Sequence, residues 1–318
     1  MPALAVAALA TLAAHWVPLA GAPVLAILLG VVLRAVWQPP ERCRPGLAFA
    51  GRSVLQAAIV VSGFALSFVT VVRTGLGTLP VTLGTMAVVL LLAPLAARAL
   101  RLDGVLQRLV GVGTAICGAS AIAAVATVIE PAESEIALAI ATVFFYNVVA
   151  VLAFPPLGHL MHLSQDAFGL WAGTAVNDTS SVVAAGYAYG REAGDHATIV
   201  KLTRATLILP IVGVLAVLRA RARRAGSARV PWRRIVPWFI LWFLAAALIN
   251  TSGIVPPGWH GPIGLLATFL ISVALAAIGL QTQLAKLLRT GARPLAFGFV
   301  LWVAVALSSL ALQRLTGL

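Results

Sequence analysis

Eleven stretches of this chain run almost without interruption in apolar residues: near 3–18, 22–37, 53–72, 78–97, 105–129, 134–154, 167–189, 197–218, 234–251, 261–283 and 294–314. A helix needs about 20 such residues to cross a hydrocarbon layer about 30 Å thick. Membrane-spanning strands would instead alternate polar and apolar residues in short segments, a pattern this chain lacks. The runs therefore predict an all-α membrane protein of about 11 transmembrane helices. Composition removes the soluble alternative. Only 10% of the residues are charged and the mean hydropathy is +1.03, whereas a soluble domain needs about a quarter of its residues charged. The opening MPALAVAALATLAAHWVPLAGA lacks the basic n-region of a signal peptide and reads as a retained first span.

The net charge of +13 raises the question of nucleic acid. The arginines, however, fall in short connections and form no basic stripe interleaved with aromatics, so nucleic acid is excluded as a partner. The lipid bilayer explains them through the positive-inside rule. With the N-terminus cytoplasmic, the inside connections hold Arg42, Arg44 and Arg52, then Arg98, Arg101 and Arg108, then seven arginines from Arg219 to Arg234, and finally Lys286, Arg289 and Arg293. The outside connections hold Glu130, Glu133 and Glu135, with Arg73 and Arg191 as exceptions. The expected arrangement is one integral membrane domain over 1–318 in the inner membrane, with 219–234 as a basic cytoplasmic linker. Cys43 and Cys117 suggest no disulfide framework.

Two self-similarities point to interrupted helices and internal repeats. Gly63-Phe64-Ala65-Leu66 leading to Arg73-Thr74-Gly75 matches Gly279-Leu280-Gln281-Thr282 leading to Arg289-Thr290-Gly291 in spacing, and a proline follows each (Pro80, Pro294). In the eleven-span topology the two copies have opposite orientation, as inverted transporter repeats do. The second pair is GTAICGASA from Gly113 and GTAVNDTSS from Gly173. Such Gly/Ser/Thr-rich backbone is tolerated at membrane depth only where it lines a polar cavity or packs inside protein. Eleven simple spans give this second pair the same direction, so it is either convergent or accompanied by a re-entrant element near Pro155–Asp166.

Charge within a span is costly and marks a pathway. Asp178 is the one acid deep in a predicted span, flanked by Asn177, Thr179, Ser180 and Ser181. Lys201 and Arg204, three apart, share a helix face; Arg204 is expected inside the bilayer and Lys201 nearer the outer interface. They either offer charge to an anion or form an inert ion pair with Asp178. Asn147 and Asn250 are read as polar additions to the same interior. His159 and His162 lack the further ligands of a metal set, and no phosphate loop, dinucleotide fingerprint or hydrolase triad is present. No metal or cofactor is expected.

The runs GTAICGASAIAA, FGLWAGTAVNDTSSVVAAGYAYG, ATIVKLTRATLILPI and AAIGLQTQLAKLLRTGARPLAFG resemble the YeiH-like family, customarily labelled sulfate exporters. The resemblance covers most of the chain from about Gly51 and is specific in the WAGTAVNDTSSVVAAG segment. That family is placed with sodium/proton antiporters and bile-acid symporters. The resemblance implies panel and core bundles with crossed, interrupted helices, and an assembly that in many members is a homodimer. Asn177-Asp178 is similar to the Asn-Asp pair that binds the coupling ion in electroneutral antiporters. The expected function is secondary active export of a small inorganic or organic anion such as sulfate, sulfite or an organosulfonate, by alternating access coupled to a proton or sodium. Asn177 and Asp178 would form the coupling site. Thr174, Thr179, Ser180, Ser120 and the backbone around Gly113, Thr114, Cys117, Gly118 and Gly173 would contact the oxyanion, and Lys201 and Arg204 would balance its charge. A sodium/proton antiporter using Asp178 is the alternative. A membrane enzyme would need a second acid or histidine beside Asp178, and the spans offer none.

Overall fold

The computed structural model describes residues 2–14, 16, 21–214, 237–282 and 291–318, all of them helix, turn or irregular, with no strand among them. The predicted basic linker at 219–234, His15, Lys286 and Arg289 lie outside the described residues. In chain order the helices are α1 (Pro2–Ala13), α2 (Ala22–Val36), α3 (Glu41–Gly63), α4 (Phe68–Gly77), α5 (Leu79–Leu100), α6 (Gly104–Ala115) and α7 (Ala119–Ile129). There follow α8 (Glu133–Leu160), α9 (Gln165–Ala175), α10 (Thr179–Tyr189), α11 (Arg191–Val214), α12 (Trp238–Thr251), α13 (His260–Gln281) and α14 (Ala292–Thr316). Six of these (α3, α5, α8, α11, α13 and α14) are long and apolar enough to cross a membrane. Leu91, Leu95, Leu265 and Leu307 stand exposed on them, as expected of side chains solvated by lipid. The chain is a multi-pass all-α membrane protein.

Local signals set the helix starts. Asp103 accepts from Val105 N at 3.1 Å ahead of α6, and Ser164 accepts from Ala167 N at 3.1 Å ahead of α9. Glu135 reaches back to Ala132 N at 2.7 Å at the start of α8. These side chains satisfy amides that a helix N-terminus leaves unpaired. The third predicted span begins earlier than expected: α3 starts at Glu41, so Arg42, Arg44 and Arg52 are helical rather than in a loop. Pro39 and Pro40 supply the start signal that hydropathy alone missed.

The largest departure concerns predicted spans five and seven. Each is two half-length helices folded back as a hairpin. In the first, a Cβ on Gly113 would lie 2.9 Å from Ile122 side-chain atoms, although nine residues of unbroken helix would separate them by about 13 Å. In the second, α9 runs with α11, since Gly169 packs on Ala193 and His196 and Gly173 on Ala197 and Val200. By contrast α10 runs against α11, with which it forms a tight turn, and Gly186 packs on Ala193 and Gly194. The two ends of the second hairpin meet. Tyr189 stacks on Phe168 with ring centroids 3.9 Å apart, its hydroxyl donates to Leu163 O, and Ala193 N donates to Gln165 Oε1 at 3.0 Å.

Between the hairpins, the 28 residues of α8 extend about 42 Å, enough to carry the chain from one membrane face to the other. It runs unbroken through Pro155 and Pro156. The hairpins therefore enter from opposite faces and meet at their tips. This is the inverted relation that eleven simple crossings denied to the Gly113 and Gly173 segments. Hydropathy could not see it, because two folded half-helices and one crossing bury the same number of apolar residues. A correction to topology follows: Arg98 and Arg101 share a membrane face with Glu130, Glu133 and Glu135, rather than facing them across the bilayer. In a cysteine-free background, Arg98→Cys and Ser134→Cys are expected to react with a membrane-impermeant maleimide from the same side. Labelling from opposite sides would restore the single crossing.

A smaller apolar cluster joins α1, α2, α3 and α13 through Ala7, Ala26, Leu47 and Ala276, while the larger one is centred on the hairpins, α8 and α11. Helices α2 and α13 cross where Gly30 meets Gly279. Two packed bundles result, with the hairpin tips in the larger.

Candidate functional site

Each tip is three residues of non-helical backbone: Ile116-Cys117-Gly118 and Val176-Asn177-Asp178. At Gly118 the backbone has φ 62° and ψ −129°, a region closed to residues with a Cβ. The tips touch: a Cβ at Gly118 would lie 3.6 Å from Asn177 C and O and from Asp178 Cα. Two helices end here and two begin. The C-terminal ends of α6 and α9 present unpaired carbonyls with partial negative charge, and the N-terminal ends of α7 and α10 present amides with partial positive charge.

The carbonyl ends are held by α11. Lys201 and Arg204 are both 0% exposed, which corrects the expectation that Lys201 lies near an interface. Lys201 Nζ donates to Ile116 O at 2.9 Å and to Val176 O at 3.1 Å. Arg204 donates from Nε to Ala115 O at 2.8 Å, from Nη2 to Thr114 O at 2.7 Å, and from Nη1 to Thr174 O. Five carbonyls from both tips thus converge on two fixed cations. An unsatisfied carbonyl in a bilayer costs several kcal/mol, and a buried cation needs compensating oxygen; each requirement meets the other. Neither cation is paired with Asp178, so the inert ion-pair reading does not describe the contacts.

The amide ends differ from one another. At α10, Asp178 Oδ2 accepts from Ser180 N at 3.0 Å and from the Ser180 hydroxyl, and the Asn147 Oδ1 atom of α8 accepts from Asn177 N at 3.0 Å and Asp178 N at 3.4 Å. At α7 the N-cap is Gly118, which has no side chain to offer, and the Cys117 sulfur lies against Ala121 N; Ala119 and Ser120 are exposed beside half-buried Asp178 and Thr179. Behind them Asn177 is 1% exposed, and its Oδ1 has no hydrogen-bond partner among the described residues. An accessible, uncapped helix N-terminus with an adjacent hydroxyl suits an anion; a buried orphan acceptor suits a donor or a cation.

Other sequence-derived residues are placed away from this opening. Gly113 packs against Ile122 and Val143, and Gly173 against Val200. The Thr174 hydroxyl is directed to Leu170 O and to Ser309 of α14, 2.7 Å away, and Cys117 is buried within its tip. Asn250 belongs elsewhere: it donates to Leu66 O at 3.1 Å and bonds His260 at 2.7 Å, closing the break after Gly63. His159 stacks on Tyr189, and the described residues contain no group of three metal-ligating side chains. Sequence reasoning missed Ser309 and Gln313, buried polar residues four apart on apolar α14; that spacing on a lipid-embedded helix was the available signal.

The family model described as conserved hypothetical protein 698 matches residues 2–298. A UPF0324 membrane protein of Streptococcus pyogenes serotype M3 is 42% identical over 311 residues, covering 95% of this chain and 91% of that protein. UPF0324 membrane proteins of Streptococcus pneumoniae (40% identical, 95% and 91% covered) and Streptococcus agalactiae serotype V (38%, 95% and 92%) are similar over the same extent. No solved structure matches the chain. With a family model across nearly its whole length and relatives well above 30% identity, the chain belongs to the UPF0324 membrane protein family.

Proposed function

We propose that this protein is a secondary transporter of a small oxyanion, of which sulfate, sulfite and organosulfonates are the leading examples, with its substrate held at the N-terminus of α7. The observation that carries the reading is the pair of opposed hairpins whose tips meet around an uncapped helix N-terminus. Discontinuous helices meeting deep in a helical bundle are how transporters expose backbone charge to a solute without exposing it to lipid. Amides of Ala119 and Ser120, with the Ser120 hydroxyl, would bind the anion. Two basic side chains against one carboxylate favour a negative solute, and Lys201 and Arg204 act through their field, since both are fully buried behind the carbonyls they hold.

Coupling follows from Asp178. An anion at the α7 N-terminus lies beside a carboxylate, and two like charges oppose one another until one is neutralised. Proton binding at Asp178 and anion binding at α7 thus favour each other, and by linkage the effect is reciprocal. Sodium has a smaller part in this scheme, because the carbonyl cluster that could bind it already holds Lys201 and Arg204. The orphan Asn177 Oδ1 beside Asp178 favours a second reading, a cation/proton antiporter with that pair as its site.

Reconstituted protein separates the two. Counterflow of labelled sulfate or sulfite is expected without sodium, and net movement of the anion is expected to be accelerated by a proton gradient. Sodium-driven pH change in vesicles free of any transported anion would overturn the anion reading.

A further inference from the structure

Away from the hairpins, a cavity of about 330 Å³ lies where the C-terminal ends of α2 and α13 meet the start of α3, lined by Arg34, Pro39, Arg44, Leu47, Leu280 and Gln281 among others. Arg34 occupies the last turn of apolar α2 and is half-buried; Arg44 lies in the first turns of α3. Arg44 pairs with Glu41 at 3.2 Å, but both side chains are largely exposed, so the pair is weak and exchangeable. Arg42 and Arg52 stand exposed on the same stretch of helix, leaving Glu41 as its one acid. Trp37 and Phe49 are exposed close by, 38% and 63%. An exposed tryptophan at the end of an apolar helix marks headgroup depth. The Gln281 amide is already used, donating to Leu47 O at 3.0 Å and Ala277 O at 2.9 Å, so among the described lining residues the arginines are the available side-chain donors.

We infer that this cavity binds the phosphate headgroup of an anionic phospholipid, with Arg34 and Arg44 as its phosphate ligands and the exposed Trp37 and Phe49 beside it against the lipid's apolar part. A free phosphate would use the guanidinium groups alone. A phospholipid uses the exposed aromatic groups as well, and it is already concentrated at the depth that Trp37 marks. Basic pockets between helices at a membrane surface have this chemistry. The occupied pocket would brace α3 against the α2–α13 crossing, in the bundle that does not carry the hairpin tips.

Binding to lipid nanodiscs or mixed micelles tests the inference, with phosphatidylglycerol, phosphatidylcholine and inorganic phosphate as separate probes. Phosphatidylglycerol is expected to raise the melting temperature in a saturable way, and phosphatidylcholine to do so far less. Each of Arg34→Gln and Arg44→Gln should weaken phosphatidylglycerol affinity about fivefold, and the pair about 25-fold, following the interaction of one basic side chain with an anionic surface. Arg98→Gln, a basic residue on another helix, should leave it unchanged. Equal stabilisation by phosphatidylcholine, equal saturation by inorganic phosphate, or the same affinity in the double variant would each overturn the proposal. None of these readouts depends on what the hairpin tips transport.

Discussion

Replacing Arg204 with Ala is expected to lower the stability of the purified protein in detergent by about 3 kcal/mol, since each buried carbonyl left without a donor costs about 1–3 kcal/mol while removing the buried charge offsets part of the sum. The reason lies in what the guanidinium leaves behind. Thr114 O, Ala115 O and Thr174 O belong to two different hairpins, and each would remain buried without a donor. Hydrogen bonds to charged groups are worth about 1.5–3 kcal/mol each, so even with strong non-additivity the loss is large. Arg204→Lys retains charge but not the planar fork that reaches three carbonyls in different directions, and should recover only part of the stability. Thermal unfolding followed by tryptophan fluorescence measures both variants. Arg204 ties the two tips together with Lys201, so transport should fall together with stability in Arg204→Ala. A variant that melts like the parent protein would show that water or a rearranged tip replaces the guanidinium, and the fixed-cation account would fail. The same measurement has a second arm. Removing Lys201 vacates Ile116 O and Val176 O, and sodium should stabilise Lys201→Ala while leaving the parent protein unaffected.

Much of this arrangement is legible in the sequence. Apolar runs gave the all-α membrane class, and the Gly113 and Gly173 segments marked the two places where helix geometry yields. Asp178 and Asn177 were identified by polarity alone, and they do lie at a tip. The hairpins were not legible, because the apolar content of 105–129 fits one crossing or two half-helices equally well. What distinguishes them is tertiary: Gly113 packs on Ile122, and Gly173 on Val200 rather than on lipid. The partners of Lys201 and Arg204 were also hidden. A sequence shows charges, and the search for their counter-charge leads naturally to Asp178 or to a substrate. The actual counter-charge is the backbone of two helix ends, which carries no letter in the sequence. The partners of Thr174 are hidden for a related reason: a hydroxyl two residues before the tip points wherever its helix face points, and that face meets Ser309.

Asp178→Asn is expected to leave the fold intact and abolish the pH dependence of anion binding. Asparagine caps helix N-termini about as well as aspartate, so the bond now accepted from Ser180 N can be kept. Asp178→Ala loses that cap and should cost about 1 kcal/mol, which provides the structural control. What asparagine removes is the charge. In the parent protein an oxyanion at the α7 N-terminus must coexist with the Asp178 carboxylate or with its protonated form. The sign is fixed by like-charge repulsion: acidification strengthens anion binding, alkalinisation weakens it. In Asp178→Asn the repulsion is permanently absent, so affinity should sit at the acid-side value and stay there at every pH. Coupled uptake should be lost while anion exchange persists, because exchange needs a site but no proton. Titration of sulfate binding by calorimetry at several pH values around neutrality, where sulfate keeps its charge, supplies the comparison in both proteins. An unchanged pH profile in Asp178→Asn would place the coupling group elsewhere. Loss of all anion binding in a fully folded Asp178→Asn protein would make Asp178 a direct ligand, which a carboxylate opposite an anion could be only through a bound cation, and that outcome would favour the antiporter reading.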